Sequence, residues 1–504
     1  MLRNLFRNIA ISAAAFIAVS LAGLILVPIL IRSYGLEGFG TISLARLFMP
    51  TAALGIFDFG FGETTTQAVA RSRCSNEWQS GSRLIALASY SAVCIGSVAG
   101  ILLIILSIWL PEWLLLKASE QSSMAKILRV TGFSLPFQFL SLVTEGILKG
   151  FERFASLRLL EVITALTYTI VVFFVIYSNG SVYSVCYALI AANLLRSIIG
   201  IVLARNLLNP YWICPLTLQG EERKWFLKMT QTMAVNKVLG ASQTQIAPLV
   251  IGLMFGPQGS GTYDALSRLP RAIKSILGLL SSTVLPVAAR LERSFDKNGL
   301  RRIGQAGVIV VGIIALPPVI CAMVFSKTIL KLWVGSDLGA MWGWQAAMFL
   351  IPGLTVLLSF GGTALLVRPQ VVLAMNRWTA LQVILQFLLA GLALPWFGEL
   401  SFIFGQVLAV AITFIPQLKI VCCELCVPPT VLCRLLKIFL GLVFLGVLVI
   451  GFQPVLNTWF ALISAMMVWL IIAWFISLKL GLLSFQRKKI IIEMRTRFGF
   501  YSIT

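Results

Sequence analysis

The sequence contains no histidine, and only 12% of its 504 residues are charged. Without histidine, imidazole cannot act as a general base or as a metal ligand anywhere in the chain. Acidic residues are especially few, with 18 Asp and Glu against 40 Lys and Arg. Soluble domains carry about 25% charged residues, so the low charge content excludes an ordinary soluble protein.

Hydrophobic residues make up 59% of the chain, and the mean hydropathy is +0.95. A membrane-spanning helix needs about 20 residues, because a rise of 1.5 Å per residue has to cover about 30 Å of hydrocarbon. We therefore predict an all-α polytopic membrane protein with about 14 transmembrane helices. The apolar runs lie at 9–31, 41–66, 84–110, 126–148, 159–177, 183–204, 226–255, 262–288, 303–325, 345–367, 379–396, 401–418, 437–453 and 458–480.

The positive charges alternate between connections, which predicts the orientation of the chain. With the N-terminus placed inside, about 28 Lys and Arg fall on the cytoplasmic side and about six on the outer side, as the positive-inside rule requires. Both termini are then cytoplasmic, and the first run is an uncleaved first helix. This distribution accounts for the net charge of +22, so we expect no nucleic-acid partner.

An internal repeat divides the sequence. The pattern G-x-x-G-x-G-T occurs at 35–41 and again at 256–262, an offset of 221 residues, and Pro28 and Pro248 precede the two turns. The repeat predicts two six-helix lobes at 1–205 and 225–420, related by an axis along the membrane normal. A cytoplasmic linker at 206–224 joins them, and helices 13 and 14 with a basic cytoplasmic tail follow at 421–504.

Three cations on the eighth predicted helix belong to no loop: Arg268, Arg271 and Lys274. Successive members lie about 60° apart around the helix. A charge that faces lipid costs several kcal/mol, so such residues face an aqueous cavity or a partner. Snorkelling towards the helix end explains Arg268 but explains Lys274 poorly. We predict an anion site in a central cavity, with a phosphate or pyrophosphate ligand that Arg clamps and Lys attracts.

Other polar residues inside apolar runs suit the same cavity. The predicted substrate-binding cations also include Lys237, Arg46 and Arg196, and the predicted polar or ion-coupling residues are Asp58, Glu63, Asp264, Asn236 and Gln243. Asp58 and Glu63 suit either a proton or sodium site or a structural pair with a neighbouring Arg. Arg196 either lines the cavity or neutralises an acid. Beyond H⁺ or Na⁺ coupling, we expect no cofactor.

Four of the nine cysteines cluster, at Cys422, Cys423, Cys426 and Cys433. A CCxxC run suits a metal, but no His and few acids accompany it. We therefore expect reduced, space-filling cysteines on the cytoplasmic side and no metal site.

Two stretches near the N-terminus carry a family resemblance. The basic N-terminus, RSYGLEGFG at 32–40 and FDFGFG at 57–62 resemble Wzx-type polysaccharide (O-antigen/capsule) flippases. These belong to the multidrug/oligosaccharidyl-lipid/polysaccharide (MATE-like) exporter superfamily. Tyr263, Asp264 and Arg268 are also similar to the opening of a helix in the lipid II flippase branch.

The resemblance implies a V-shaped pair of six-helix lobes that works by alternating access. The implied substrate is undecaprenyl-pyrophosphate-linked oligosaccharide, moved to the outer leaflet for O-antigen, capsule or exopolysaccharide synthesis. Membrane lipids, a glycan polymerase and a chain-length regulator are the other implied partners. The sequence departs from the family at Pro270, which should kink the eighth helix, and in the second lobe, which has no acid matching Asp58.

Two other functions remain open from the sequence. A MATE-type drug/ion antiporter would need cavity acids for organic cations, whereas the eighth helix carries the opposite sign. A membrane glycan polymerase or glycosyltransferase would need catalytic residues on a large outer loop. The longest outer loops, 111–125 and 326–344, contain no paired carboxylates, so we expect a transporter rather than an enzyme.

Overall fold

The computed structural model describes residues 2–50, 52–75, 78–208, 220–282, 297–365, 369–450 and 458–481. Most residues in these ranges are helical, and none of them forms a β-strand. Ten segments in them are long and apolar enough to cross a membrane. The chain is thus an all-α multi-pass membrane protein, as the composition predicts, while the number of fourteen spans stays a prediction.

The first half of the chain begins with a long helix that bends at a glycine. Its helices are α1 (Leu2–Leu47), α2 (Phe61–Ser75), α3 (Trp78–Leu106), α4 (Leu110–Trp113), α5 (Ala118–Gly150), α6 (Phe154–Tyr177), α7 (Val182–Leu208), α8 (Gly220–Ala241) and α9 (Ala247–Ser282). A short 3₁₀ helix, Ala53–Asp58, precedes α2, and a π-helical turn, Ser242–Ile246, joins α8 to α9.

The described residues of the second half form nine further α-helices. They are α10 (Lys297–Val324), α11 (Ser326–Trp333), α12 (Ser336–Gly339), α13 (Trp342–Met348), α14 (Leu350–Leu365), α15 (Pro369–Phe397), α16 (Ser401–Glu424), α17 (Pro429–Ile450) and α18 (Trp459–Gly481). A 3₁₀ turn, Gly398–Leu400, separates α15 from α16.

The chain divides into two compact units, Met1–Ala265 and Leu266–Thr504. In the first unit, α3 packs closely on α5 at Gly100 and Gly132, where an added Cβ would overlap the opposite backbone. In the second, α10, α17 and α18 share an apolar core that contains Phe325, Leu442 and Trp469. The lobes expected from the sequence repeat have other boundaries and stay a prediction. Residues 209–219 of their linker and the tail from 482 onwards lie outside the described residues.

The second predicted helix, 41–66, is not continuous, which corrects the sequence-based prediction. α1 ends at Leu47, the 3₁₀ helix follows, and α2 starts only at Phe61. Phe59 and Gly60 both have positive φ angles, of 40° and 74°. Two successive left-handed residues cannot continue a right-handed helix, so the chain changes direction here and places Asp58 just before α2.

The two Gly-rich turns have the same backbone conformation. Gly35 has φ 71° and ψ 177°, and Gly256 has φ 70° and ψ −165°, each inside an otherwise helical segment. Only glycine adopts such angles without strain. The turns also touch: a Cβ on Gly40 would overlap the carbonyl oxygen of Pro257, and one on Gly261 would overlap that of Leu36.

Candidate functional site

Two acids of the first unit share one lysine. The Nζ atom of Lys237, on α8, lies 3.0 Å from Oδ2 of Asp58 and 2.9 Å from Oε1 of Glu63. We name Asp58, Glu63 and Lys237 the acid–lysine cluster. The Asp58 side chain is buried, whereas those of Glu63 and Lys237 are 40% and 37% exposed. The sequence placed Lys237 with the substrate-binding cations and gave the acids an Arg as a structural alternative; here Lys237 is their cation.

The break before α2 builds this cluster. Asp58 ends the 3₁₀ helix, and Glu63 stands in the first turn of α2. The N-terminus of a helix carries a partial positive charge, which stabilises carboxylates placed there. α2 is fixed against α5 at Gly62, because Thr66 Oγ1 donates to the carbonyl oxygens of Gly62 (2.8 Å) and Gly146 (3.1 Å). The acids therefore sit on a firmly packed element.

Several buried oxygens beside the cluster accept or donate no hydrogen bond within the described residues. They are Asp58 Oδ1, Glu63 Oε2, Thr64 Oγ1 and Thr65 Oγ1. Most buried polar groups in proteins are hydrogen-bonded, so a run of four such oxygens within eight residues of chain marks the cluster as a site with unused ligand capacity.

The cations of α9, which we name the cationic stripe, are Arg268, Arg271 and Lys274. All three are half-buried. On the opposite side of the same helix, Leu269, Ile273 and Leu277 pack into an apolar core of the second unit. The stripe thus lies on the face that turns away from this core, as its spacing predicts.

The lower part of the stripe is held by its own helix. Arg271 Nη2 donates to Ser267 Oγ at 2.6 Å, and Arg271 Nε donates to the Ser267 carbonyl oxygen at 3.3 Å. No carboxylate of the described residues lies within ion-pair distance of Lys274. The backbone stays helical through Pro270, and Gly256 has the only non-helical angles described in α9. The kink expected at Pro270 stays a prediction.

The remaining predicted cations of the first unit lie in different settings. Arg46 is exposed in the last turn of α1, although its neighbours from 41 to 50 are buried. Arg196 Nη2 lies 2.6 Å from Glu145 Oε1, with both side chains largely buried. Of the two alternatives for Arg196, the structure shows the neutralised acid. Glu145 was not predicted, although an acid inside the apolar run 126–148 is a usable signal.

The other predicted polar residues are dispersed. Asp264 is buried near the start of the stripe's helix segment, with 5% of its surface exposed. Gln243 is half-buried in the π-helical turn. Asn236 lies on α8, and its side chain falls outside the described residues. A binding role for any of these residues, or for the stripe, stays a prediction.

The four clustered cysteines form no disulfide in the described part of the chain. Cys423, Cys426 and Cys433 are exposed free thiols, and Cys422 is half-buried. The described residues contain no group of three or more His, Cys, Asp or Glu side chains placed to hold a metal ion.

Comparison with known proteins gives a family and a fold. Residues 5–292 match the family described as polysaccharide biosynthesis protein. The provisionally named O-antigen transporter of Shigella flexneri is 22% identical over 310 residues, which cover 61% of this chain and 71% of that protein.

Solved structures extend the likeness to nearly the whole chain. The lipid II flippase MurJ, in an inward closed conformation, superposes with a TM-score of 0.72 at 15% identity, covering 95% of this chain and 99% of that one. An inward-facing multidrug resistance MATE family transporter of the MOP superfamily gives a TM-score of 0.58 at 14% identity, covering 83% and 94%. The family match spans more than half of the sequence. The chain therefore belongs to the polysaccharide biosynthesis protein family and has the MurJ- and MATE-like fold, which confirms the resemblance to Wzx-type flippases drawn from its residues.

Proposed function

We propose that this protein is a flippase for undecaprenyl-pyrophosphate-linked oligosaccharide, which it moves from the cytoplasmic to the outer leaflet for O-antigen, capsule or exopolysaccharide synthesis. The observation that carries the proposal is the cationic stripe, a row of three cations on the side of α9 that faces away from the apolar core. Family membership and the flippase-like fold support the same assignment.

The stripe matches the charged part of such a substrate. A pyrophosphate linkage presents several anionic oxygens, which the planar guanidinium groups of Arg268 and Arg271 can bind in bidentate fashion. Lys274 supplies a compact point charge one turn further along the helix. Arg46 occupies a comparable place in the first repeat, one residue before the position equivalent to Arg268 at the 221-residue offset, and its exposure leaves it accessible to an anion.

Transport requires that the cationic stripe be accessible from each side of the membrane in turn. We propose alternating access between two lobes, 1–205 and 225–420, with both termini in the cytoplasm and the chain in the bacterial inner membrane. The distribution of Lys and Arg supports this orientation. A glycan polymerase and a chain-length regulator would receive the product at the outer leaflet.

The fold alone also suits a drug exporter, because a multidrug transporter superposes on the chain. The sign of the charge argues against that function. Organic cations need acids that are not already paired, whereas both acids of the acid–lysine cluster lie within 3.0 Å of Lys237 Nζ and the stripe is cationic.

A deletion strain tests the proposal directly. Its lipids should accumulate complete oligosaccharide units on the undecaprenyl-pyrophosphate carrier, and its surface glycan should be missing. Unchanged carrier lipids and glycan would overturn the proposal in favour of another export function. Incomplete or unpolymerised glycan at the outer face would overturn it in favour of an enzyme.

A further inference from the structure

The acid–lysine cluster is not neutral when its groups are ionised. Two carboxylates face one ammonium group, at 2.9 and 3.0 Å, so one negative charge is left over. An uncompensated charge in a buried setting is costly. Lys149, on α5, adds a weaker positive influence on Glu63 than Lys237 does. The net negative charge of the cluster therefore attracts a free cation from solution.

The cluster also offers oxygens to hold that cation. Asp58 Oδ1 and Glu63 Oε2 are buried, and no hydrogen bond from the described residues reaches them. Asp58 is only 5% exposed, and Thr64 and Thr65, which follow Glu63 in the chain, are each 1% exposed. Carboxylate and hydroxyl oxygens suit a proton or a hard metal cation.

Lys237 shows that these acids bind a cation, and its own geometry allows it to leave. Its side chain is 37% exposed, whereas that of Asp58 is 7% exposed. A lysine is a point charge on a flexible four-carbon stem. The ammonium group can therefore swing out towards solvent while Asp58 stays in place, at the N-terminus of a helix that is fixed by its glycine contacts.

We propose that the acid–lysine cluster is a cation-exchange site, in which a free monovalent cation, a proton or a sodium ion, replaces the ammonium group of Lys237 between Asp58 and Glu63. The exchange preserves the charge of the cluster, because one cation leaves as another enters. Lys237 then becomes available to bind an anion. This step rests on the proposed transport of a pyrophosphate-linked lipid.

The exchange couples two ligands through one side chain. The free cation and the anionic headgroup both bind only when Lys237 has left the acids. Each ligand therefore shifts the protein towards the state that the other needs. Linkage is reciprocal, so the headgroup must raise the affinity for the cation by the same factor that the cation raises the affinity for the headgroup.

The reactivity of Lys237 towards an amine-directed label measures the exchange in the full-length purified protein in nanodiscs, without substrate. Labelling is quantified by mass spectrometry relative to the exposed Lys327 and Lys331. In one arm, choline is replaced by sodium at constant pH; in the other, the pH is lowered in choline. We expect the labelling of Lys237 relative to Lys327 and Lys331 to rise severalfold in one of the arms, and the arm in which it rises identifies the cation. A constant ratio in both arms would overturn the proposal.

An acid-to-amide pair supplies the control. In the double variant Asp58→Asn with Glu63→Gln, the labelling of Lys237 relative to Lys327 and Lys331 should be high at every sodium concentration and pH. Glu112 is an exposed acid on α4, and Glu112→Gln should behave as the parent protein does. A cation response that persists in the double variant would also overturn the site. The arms on the parent protein require no variant, so poor folding of the double variant leaves the test intact.

The labelling experiment and the carrier-lipid assay test separate proposals, so their results are independent. A cation response of Lys237 without lipid accumulation in the deletion strain would refute the flippase and keep the exchange site. Accumulation of carrier lipid with an unresponsive Lys237 would keep the flippase and refute the exchange site.

Discussion

Gly40 and Gly261 occupy the same position in the two sequence repeats, and each packs against the backbone of the other turn. A Cβ on Gly40 would meet the carbonyl of Pro257, and a Cβ on Gly261 would meet the carbonyl of Leu36. Leu36 and Pro257 are themselves separated by the repeat offset of 221 residues. The contact is thus locally two-fold symmetric, and neither glycine has room for a side chain.

Gly261→Ala should destabilise the protein by about 1–3 kcal/mol, the range found when methyl groups are forced into a packed interior. The measurement is the midpoint of thermal unfolding of purified protein in detergent. Gly391→Ala is the matched control, because nothing lies within 4 Å of a Cβ added there. Equal midpoints for the two variants would show that the turns do not pack as described.

Arg268→Ala combined with Lys274→Ala should abolish surface glycan and leave protein levels intact, because the stripe would lose two of its three charges. Carrier-linked oligosaccharide should accumulate at the same time. Lys327→Ala with Lys331→Ala removes two exposed cations from α11 and should leave display normal. Normal glycan from the stripe variant would remove the basis for an anion site on α9.

Arg196→Met should lower the stability by about 1–3 kcal/mol, since it leaves the Glu145 carboxylate buried without its partner. The double variant with Glu145→Gln should recover much of that loss, because both charges are then gone. Thermal unfolding of the parent, the two single variants and the double variant gives the coupling energy. Additive effects would show that the 2.6 Å pair does not stabilise the protein.

Lys237→Met should make stability depend on pH in a defined direction. Without the ammonium group, Asp58 and Glu63 repel each other, and Lys149 offers only a more distant positive charge. Protonation removes that repulsion, so the unfolding midpoint should rise as the pH falls. Lys237→Arg keeps the charge and should show a flatter profile; matching profiles for the two variants would argue against the cluster.

Much of the fold could be predicted from the sequence, because the spacing of apolar residues encodes membrane helices. The repeated turns were also predictable, since glycine at matched positions signals a conformation that other residues avoid. The interruption between Leu47 and Phe61 was not. The three phenylalanines of FDFGFG continue the apolar pattern through the interruption, and only the backbone angles of Phe59 and Gly60 show where the helix stops.

The site was predictable only where its residues are neighbours in the chain. Arg268, Arg271 and Lys274 share a helix face because of their spacing, and the structure places them opposite the core. Asp58 and Lys237 are far apart in the sequence, and tertiary packing alone brings them together. For the same reason, the pairing of Lys237 with the two acids and the pairing of Arg196 with Glu145 were not predicted.

The π-helical turn at Ser242–Ile246 stands between the acid–lysine cluster and the second Gly-rich turn. Such a turn holds one residue more than an α-helical turn. If it tightened to α-helix, the preceding helix, with Lys237, would rotate by about 100° and advance by about 1.5 Å relative to the rest of the helix. Lys237 would then point away from Asp58 and Glu63. The extra residue in this turn therefore determines the direction in which the lysine side chain points.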